Sequence, residues 1–230
     1  MFDIHSHVLP FVDDGSSSLE SSLDLIKTEM ANGVTDIMLT PHFKRGIYDY
    51  GVDELKEKFL AFKEETRKAG LNVNLYLGQE VYCDRYVYDH IKEGKVLTLN
   101  GTRYILIEFD YFTETDILDY VYNIVMLGYK PIIAHIERYS YLDWNTIFDL
   151  KQMGALIQVN AFSITGDFGR QFQKKVISAI KKGLIDFVAS DVHSGRDCVM
   201  QKAYKTLLKH AGRTLTDRVF KHNAEQLFKN

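Results

Sequence analysis

Residues 104–135 read YILIEFDYFTETDILDYVYNIVMLGYKPIIAH. The stretch opens on residues 104–109, a run continuous in apolar side chains rather than alternating, as expected of a strand covered on both faces in a parallel sheet. Helical spacing follows over 115–127 and stops at Gly128, the residue type that most easily turns the chain at a helix end. A second apolar run, 131–135, comes directly after. Strand, crossover helix and strand make one βαβ unit. The unit recurs on both sides. Further strand runs are expected at 2–5, 34–40 and 73–80 upstream, and at 155–160 and 185–190 downstream. Ser17-x-x-Glu20 is a capping-box pattern that opens a helix running to Asn32-Gly33. Other helices are expected at 52–69, 144–153, 170–182 and 197–211, each followed by a glycine. Only 84–93 is ambiguous. This alternation implies an α/β protein with a parallel sheet. Periodicity alone leaves open a closed barrel of about seven units or an open doubly wound sheet.

Composition narrows the class. The chain has 230 residues, with 28 Lys+Arg against 31 Asp+Glu, 46% hydrophobic and 26% charged residues, and a formal charge of −3. This balance is globular and excludes disorder. Three prolines, no Ser/Gly-rich linker and no low-complexity tract argue for one domain over 1–230. The slight acidity disfavours a dedicated nucleic-acid binder. No apolar run is long enough to span a bilayer, and the start shows no signal-peptide pattern, so a cytoplasmic location is expected. Cys83 and Cys198 form no CxxC motif, and neither has the downstream arginine of a cysteine-phosphatase loop. Cysteine-dependent phosphoester chemistry is excluded.

The polar residues carry the functional signal. His5 and His7 end the first strand run, and His42 lies just past the second. Glu80 ends the third, Glu108 lies near the end of the fourth, His135 ends the fifth and Asn160 the sixth, and Asp191 and His193 follow the seventh. In parallel α/β folds the C-terminal strand ends are where sites are built. A lone strand-end histidine is ordinarily a hydrogen-bonded structural residue; seven strands ending this way point to a metal site. Residues i and i+2 of a strand share a face, so His5 and His7 can reach one ion. Imidazole with carboxylate suits Zn, Mn, Fe or Co better than Mg or Ca. With Asp14 nearby, the roster exceeds what one tetrahedral ion needs, which argues for two or three ions sharing a carboxylate bridge. Such centres acidify bound water. Asp13 reads equally as part of an Asp-Gly turn. Arg138 and Arg196 each sit three residues beyond a candidate ligand, where a guanidinium can grip phosphate with two parallel hydrogen bonds. The basic, aromatic loop 43–50 reads either as a contact for an acidic phosphopeptide or as a solvated loop.

The ordered motifs Asp3-Ile-His-Ser-His7, Val12-Asp-Asp-Gly15, Thr40-Pro-His42, Gly78-Gln-Glu80, Ala134-His-Ile-Glu-Arg138 and Ser190-Asp-Val-His-Ser-Gly-Arg196 resemble the polymerase-and-histidinol-phosphatase (PHP) superfamily. They resemble in particular its bacterial branch of manganese-dependent protein-tyrosine phosphatases from capsule and exopolysaccharide operons. The resemblance spans essentially the whole chain. It implies a distorted (β/α)7 barrel and a trinuclear Mn²⁺ centre. One ion would be held by His5, His7, Glu80 and Asp191, a second by Glu80, Glu108 and His135, and a third by Asp14, His42 and His193. Arg138 and Arg196 would hold the phosphate. Phe43 departs from the pattern, since relatives often carry a second histidine there. The implied substrate is phosphotyrosine on the C-terminal tail of a cognate bacterial tyrosine kinase. A small-molecule phosphatase, such as one acting on histidinol phosphate, and a catalytically silent PHP-fold scaffold are the alternatives.

Overall fold

All the expected strand runs form, but two of them break. The computed structural model describes residues 1–228; positions 229–230 of the expected domain lie outside the described residues. Its strands are β1 (Phe2–Ser6), β2 (Asp36–Leu39), β3 (His42–Phe43), β4 (Asn74–Leu77), β5 (Glu80–Tyr82), β6 (Tyr104–Glu108), β7 (Lys130–Ile133), β8 (Leu156–Asn160) and β9 (Phe187–Ala189). The run expected over 34–40 ends as β2, and β3 resumes beyond it; the run expected over 73–80 is likewise split into β4 and β5. Pro41, which has no N–H to donate to a ladder, lies at the first break, and Gly78-Gln79 lies at the second. Glu80 therefore opens a short strand instead of closing a long one.

Pairing is parallel throughout, in the orders β1-β2-β4 and β3-β5-β6-β7-β8-β9. The two sheets are halves of one curled wall, because β2 leads into β3 and β4 into β5. Closure comes from the first and last staves. Asp191 N donates to His5 O at 2.9 Å and His7 N donates to Val192 O at 3.0 Å. Buried Asp3 fastens the same seam by accepting from Ser190 N and from the Ser190 hydroxyl. This is the distorted seven-stave barrel, not the open sheet.

The wall separates two cores. On β6, Ile105 and Ile107 face the outer core under the helices, while Tyr104 and Leu106 fill the barrel interior with Met38, Ile132 and Phe187. Period-two alternation thus persists in a run that looked uniformly apolar, because both faces are buried. Glu108 continues the inner row one position above the apolar plug. On β1, pairing with β2 slips between Asp3 and Ser6. Such an irregularity re-aims side chains; Ile4 joins the interior plug while His5 and His7 reach the site.

The helices α1 (Leu19–Ala31), α2 (Val52–Lys68), α3 (Val87–Lys92), α4 (Ile117–Met126), α5 (Trp144–Gln152), α6 (Phe162–Thr165), α7 (Arg170–Lys181), α8 (Met200–Ala211), α9 (Arg213–Asp217) and α10 (Glu225–Phe228) surround the wall. The ambiguous segment after β5 contains α3. The cap of α1 is Ser18, whose side chain accepts from Ser21 N, one residue later than the capping-box pattern placed it. The helix expected from Asp197 begins at Met200, because the preceding residues form the turn that carries Arg196.

The barrel is distorted where β4 does not pair with β6. A 3₁₀ turn (Leu99–Gly101) lies against β4 and β6, and Leu99 packs on Gly78. A Cβ at Gly78 would stand 2.6 Å from Leu99 Cδ2 and 3.2 Å from Leu99 Cα. Gly78→Ala should therefore destabilise the fold by about 1–3 kcal/mol, the usual cost of overpacking. Urea midpoints check this, and Leu99→Ala in the same chain should recover part of the loss because the two sites share one contact.

Candidate metal centre

At the C-terminal mouth of the barrel the strand ends converge on a pocket of ≈ 340 Å³, whose lining includes Asp14, His42, Glu80, Glu108, His135, Asp191, His193 and both arginines. His5 and His7 form its fully buried floor. Every sequence-predicted ligand is gathered here. Glu80 is the hub. Its Oε2 lies 3.1 Å from His5 Nε2, 3.2 Å from His7 Nε2 and 3.1 Å from His42 Nδ1, and its Oε1 lies 2.8 Å from His135 Nε2.

Three overlapping groups have donor atoms within 4.8 Å of one another: His5, His7 and Glu80; His42, Glu80 and Glu108; and His7, Asp14, His42 and His193. These differ from the implied sets in detail. His7 approaches the group that includes Asp14. His42 serves two groups, with Nδ1 3.1 Å from Glu108 Oε1 and Nε2 3.6 Å from Asp14 Oδ1. Asp191 Oδ1 lies 3.5 Å from His5 Nε2 and 3.6 Å from His7 Nε2, completing a tetrad around the buried floor.

Outer hydrogen bonds aim these rings. His7 Nδ1 lies 2.8 Å from Asp13 Oδ2, His5 Nδ1 lies 3.2 Å from Gln158 Oε1, and His193 Nδ1 lies 3.0 Å from the Asp191 carbonyl oxygen. Each acceptor fixes the proton on Nδ1 and leaves Nε2 facing the pocket, the arrangement of a metal-ligating imidazole. His42 Nδ1, by contrast, is buried and has no hydrogen-bond partner although it sits between two carboxylates. Imidazole and carboxylate donor atoms that converge in this way, with one buried ring nitrogen left unpartnered, fit a transition-metal cluster.

The backbone bends to make this possible. His135 and Asp191 take the left-handed conformation, at φ 31° and φ 53°. Such strain at non-glycine residues concentrates at functional sites. The turn after each strand brings its arginine back: Arg138 N donates to His135 O at 2.9 Å and Arg196 N to His193 O at 3.1 Å. Both guanidinium groups approach Asp191 Oδ2, at 3.6 and 3.9 Å. Neither pairs with its sequence neighbour Glu137 or Asp197; the Glu137 carboxylate accepts from Asn160 N and Ser163 Oγ instead. Gly15 lets the Asp13 loop close, since a Cβ there would stand 2.1 Å from His7 O.

Several site residues were not singled out from sequence. Asp13 is more than a turn residue: it orients His7 and also accepts from His42 N at 3.0 Å. Gln158 links His5 to the His135 backbone and donates to Asn160, which in turn donates to Asp191 Oδ2 at 2.8 Å. The signal for Gln158 was its place two residues before Asn160 on an inward row. The Tyr111 hydroxyl reaches Glu108 Oε2 at 3.3 Å, and its ring carries Arg138 at 4.0 Å. Phe43 is buried against His90, on the strand face opposite His42, so it has no place at the rim.

A sequence profile for the family described as capsular polysaccharide synthesis, CpsB/CapC, matches residues 1–229. This chain belongs to the CpsB/CapC family. It is 33% identical over 240 residues to the tyrosine-protein phosphatase CpsB of Streptococcus agalactiae serotype V, covering 100% of this chain and 99% of that protein. It superposes with a TM-score of 0.87 and 30% identity on a crystal structure described as that of the metal-dependent tyrosine phosphatases YwqE of Bacillus subtilis and CpsB of Streptococcus pneumoniae, covering 94% of this chain and 90% of the other. A histidinol phosphate phosphatase of Lactococcus lactis matches at 15% identity and a TM-score of 0.58 over 92% of each chain, a likeness of fold alone.

Electrostatics of this CpsB/CapC site follow from burial competing with charge. Burial alone would lower His5, but Glu80 and Asp191 overcome it and push the imidazole up from 6.5 to about 9. Burial likewise opposes Asp13, yet the His7 charge pulls its carboxyl down to about 2. Burial and the nearby His7 charge push His193 down to about 4, leaving it a neutral donor. Without metal, protons therefore do part of the work of cations. A histidine raised on folding contributes stability that is complete below its ordinary value and is lost as pH rises through the folded value. Metal-free protein should thus lose stability as pH rises from about 6.5 towards about 9. Protein with metal should keep or gain it, because ligation requires the deprotonated ring. Urea midpoints at stepped pH, with chelator or with added metal, check the sign; His5→Asn should flatten the metal-free trend.

Proposed function

We propose that this protein is a metal-dependent protein-tyrosine phosphatase that hydrolyses phosphotyrosine without a cysteine nucleophile. The observation that carries the reading is the pairing of a convergent imidazole–carboxylate cluster with two arginines aimed at its open side. The CpsB relatives' names and the metal dependence of the YwqE and CpsB structures support it. Cys83 and Cys198 are both buried, and burial pushes both thiols up, the opposite of a nucleophilic cysteine.

The residues proposed to ligate are His5, His7, Asp14, His42, Glu80, Glu108, His135, Asp191 and His193, with Glu80 shared between ions. Two or three Mn²⁺ ions are the occupants we favour, on the PHP resemblance and the nitrogen–oxygen donor set; Fe, Co and Zn suit the same donors. Bound there, the ions supply Lewis acidity that activates water and neutralises phosphoryl charge. The chain's own residues do the rest. Arg138 and Arg196 bind the phosphoryl oxygens and compensate charge in the transition state. Tyr111 supports the Arg138 guanidinium from below. At the mouth, Tyr48 stacks on His42 with ring centroids 5.7 Å apart, and Ile47 lies beside it, giving the substrate ring apolar surface. The phenolate leaving group has a pKa of about 10, which lowers the demand for a strong general acid.

The reading takes 1–230 as one catalytic domain, supported by an outer core continuous from Val8 to Phe220. The substrate we favour is the tyrosine-rich tail of a cognate bacterial kinase in capsule or exopolysaccharide synthesis. Kinases make phosphotyrosine where ATP is present, so the enzyme is placed in the cytoplasm.

The test is phosphate release from a phosphotyrosyl peptide and from histidinol phosphate, each with added Mn²⁺ or with chelator. Chelator-sensitive, Mn²⁺-restored release from the peptide is expected; preference for histidinol phosphate would overturn the substrate. Glu80→Ala should lower kcat/KM by about a thousandfold or more, since it removes the shared carboxylate along with part of the electrostatic stabilisation. Near-normal turnover with full metal content would refute the bridging role.

A further inference from the structure

Beyond the metal pocket, the same strands continue into a row of cations laid on aromatic rings. In the β3–β5 pairing His42 lies opposite Glu80. Two residues further along the same faces stand Lys44 and Tyr82, and Lys44 Nζ sits 4.1 Å from the Tyr82 ring centroid. Lys44 also lines the mouth of the pocket. Next to it, Arg45 and Arg85 both pack on Tyr86, with guanidinium carbons 4.1 and 4.7 Å from one ring centroid. The backbone beneath is pinned, because Lys44 and Tyr48 exchange both hydrogen bonds, at 2.9 and 2.8 Å.

Two guanidinium groups on one ring repel each other, and one carboxylate offsets them in part. Asp84 Oδ2 lies 3.7 Å from Arg45 Nε, while its Oδ1 accepts from Tyr86 N. Asp49 accepts from Gly46 N. Among the described residues neither Lys44 nor Arg85 makes an ion pair. A guanidinium stacked by its face keeps its N–H edges free, and those edges match a carboxylate or phosphate. Acidic groups stand close by as well: Asp14 lines the pocket, and Asp110 Oδ2 accepts from the Tyr82 hydroxyl at 3.4 Å. An anionic peptide flank is attracted to the side of the pocket that carries these three cations.

We propose that Lys44, Arg45 and Arg85, held on Tyr82 and Tyr86, form a subsite for an anionic side chain flanking the scissile phosphotyrosine. This rests on the phosphotyrosyl-protein reading above and adds to it a preference for acidic sequence. A strand rises about 3.3 Å per residue, so the Lys44–Tyr82 step lies about 7 Å beyond the His42–Glu80 pair. An extended peptide covers that span within about three residues of the phosphotyrosine. The subsite's ligand is an oxoanion, from a glutamate or from a second phosphate.

The experiment compares kcat/KM for three phosphotyrosyl peptides, flanked by neutral residues, by glutamates or by phosphoserine, with phenyl phosphate as a substrate too small to reach Arg45 or Arg85. Wild-type enzyme should favour an anion-flanked peptide over the neutral one by about fivefold, as two partly exposed ion pairs allow. The advantage should shrink in high salt. Arg45→Gln with Arg85→Gln should erase it while leaving phenyl phosphate turnover unchanged, which also shows that the variant is folded. An advantage in only one anionic arm supports the subsite and names the source of the oxoanion. Equal rates on all three peptides, or an advantage that survives in the double variant, overturns the subsite and leaves the phosphatase reading standing. Turnover of phenyl phosphate with no hydrolysis of any peptide overturns both.

Discussion

One enclosed carboxylate in contact with four imidazoles sets the terms for the rest of this molecule. The charges of His5 and His42 hold Glu80 well below the usual carboxylate range despite complete burial. A buried anion of this kind is tolerable only if its partners are held in place. The architecture answers that demand. His5 arrives on β1 and His7 just past its end, His42 on β3, and His135 two residues beyond β7, so the four rings come from three staves of one wall. Each stave is fixed by parallel pairing and by outer hydrogen bonds through Asp13 and Gln158. The apolar plug of Leu106, Met38 and Phe187 seals the floor beneath. Chemistry at the mouth and stability of the barrel are thus the same problem.

Much of this was legible in the sequence because the βα rhythm is regular. Residues 104–135 announced a strand, helix and strand, and those elements formed with ends moved by a residue or two. The polar residues at strand ends were legible for the same reason: parallel strands share one functional end. Periodicity did not reveal the breaks in the second and third staves. They depend on Pro41 and on Leu99 packing against Gly78, a contact between segments twenty-one residues apart. Ser18 took the cap from Ser17 by a shift of one residue, a choice that local pattern leaves nearly degenerate.

At the site, the donors were readable but not their neighbours. Gln158 and Tyr111 look like ordinary strand and loop residues until the wall curls and brings β8 beside β1 through β9. Asp13 looked like half of an Asp-Gly turn, and it is one, since Gly15 N donates to its Oδ1. The other oxygen serves His7, and one sequence position cannot announce two duties. Phe43 is the converse case. Its neighbour His42 faces the metal pocket, so strand alternation sends Phe43 into the outer core, and any residue there would face away from the substrate.

The seam between the first and last staves also orders events during synthesis. His5 and His7 leave the ribosome more than 180 residues ahead of their backbone partners at Asp191 and Val192. The nascent polypeptide thus carries its earliest donors beside an unfinished wall. Only after the ninth strand docks does the pocket acquire the Asp191 carboxylate and both arginines in one place. A chain that stops short of residue 191 cannot hold the finished cluster, so a truncation there removes the site and the closure together.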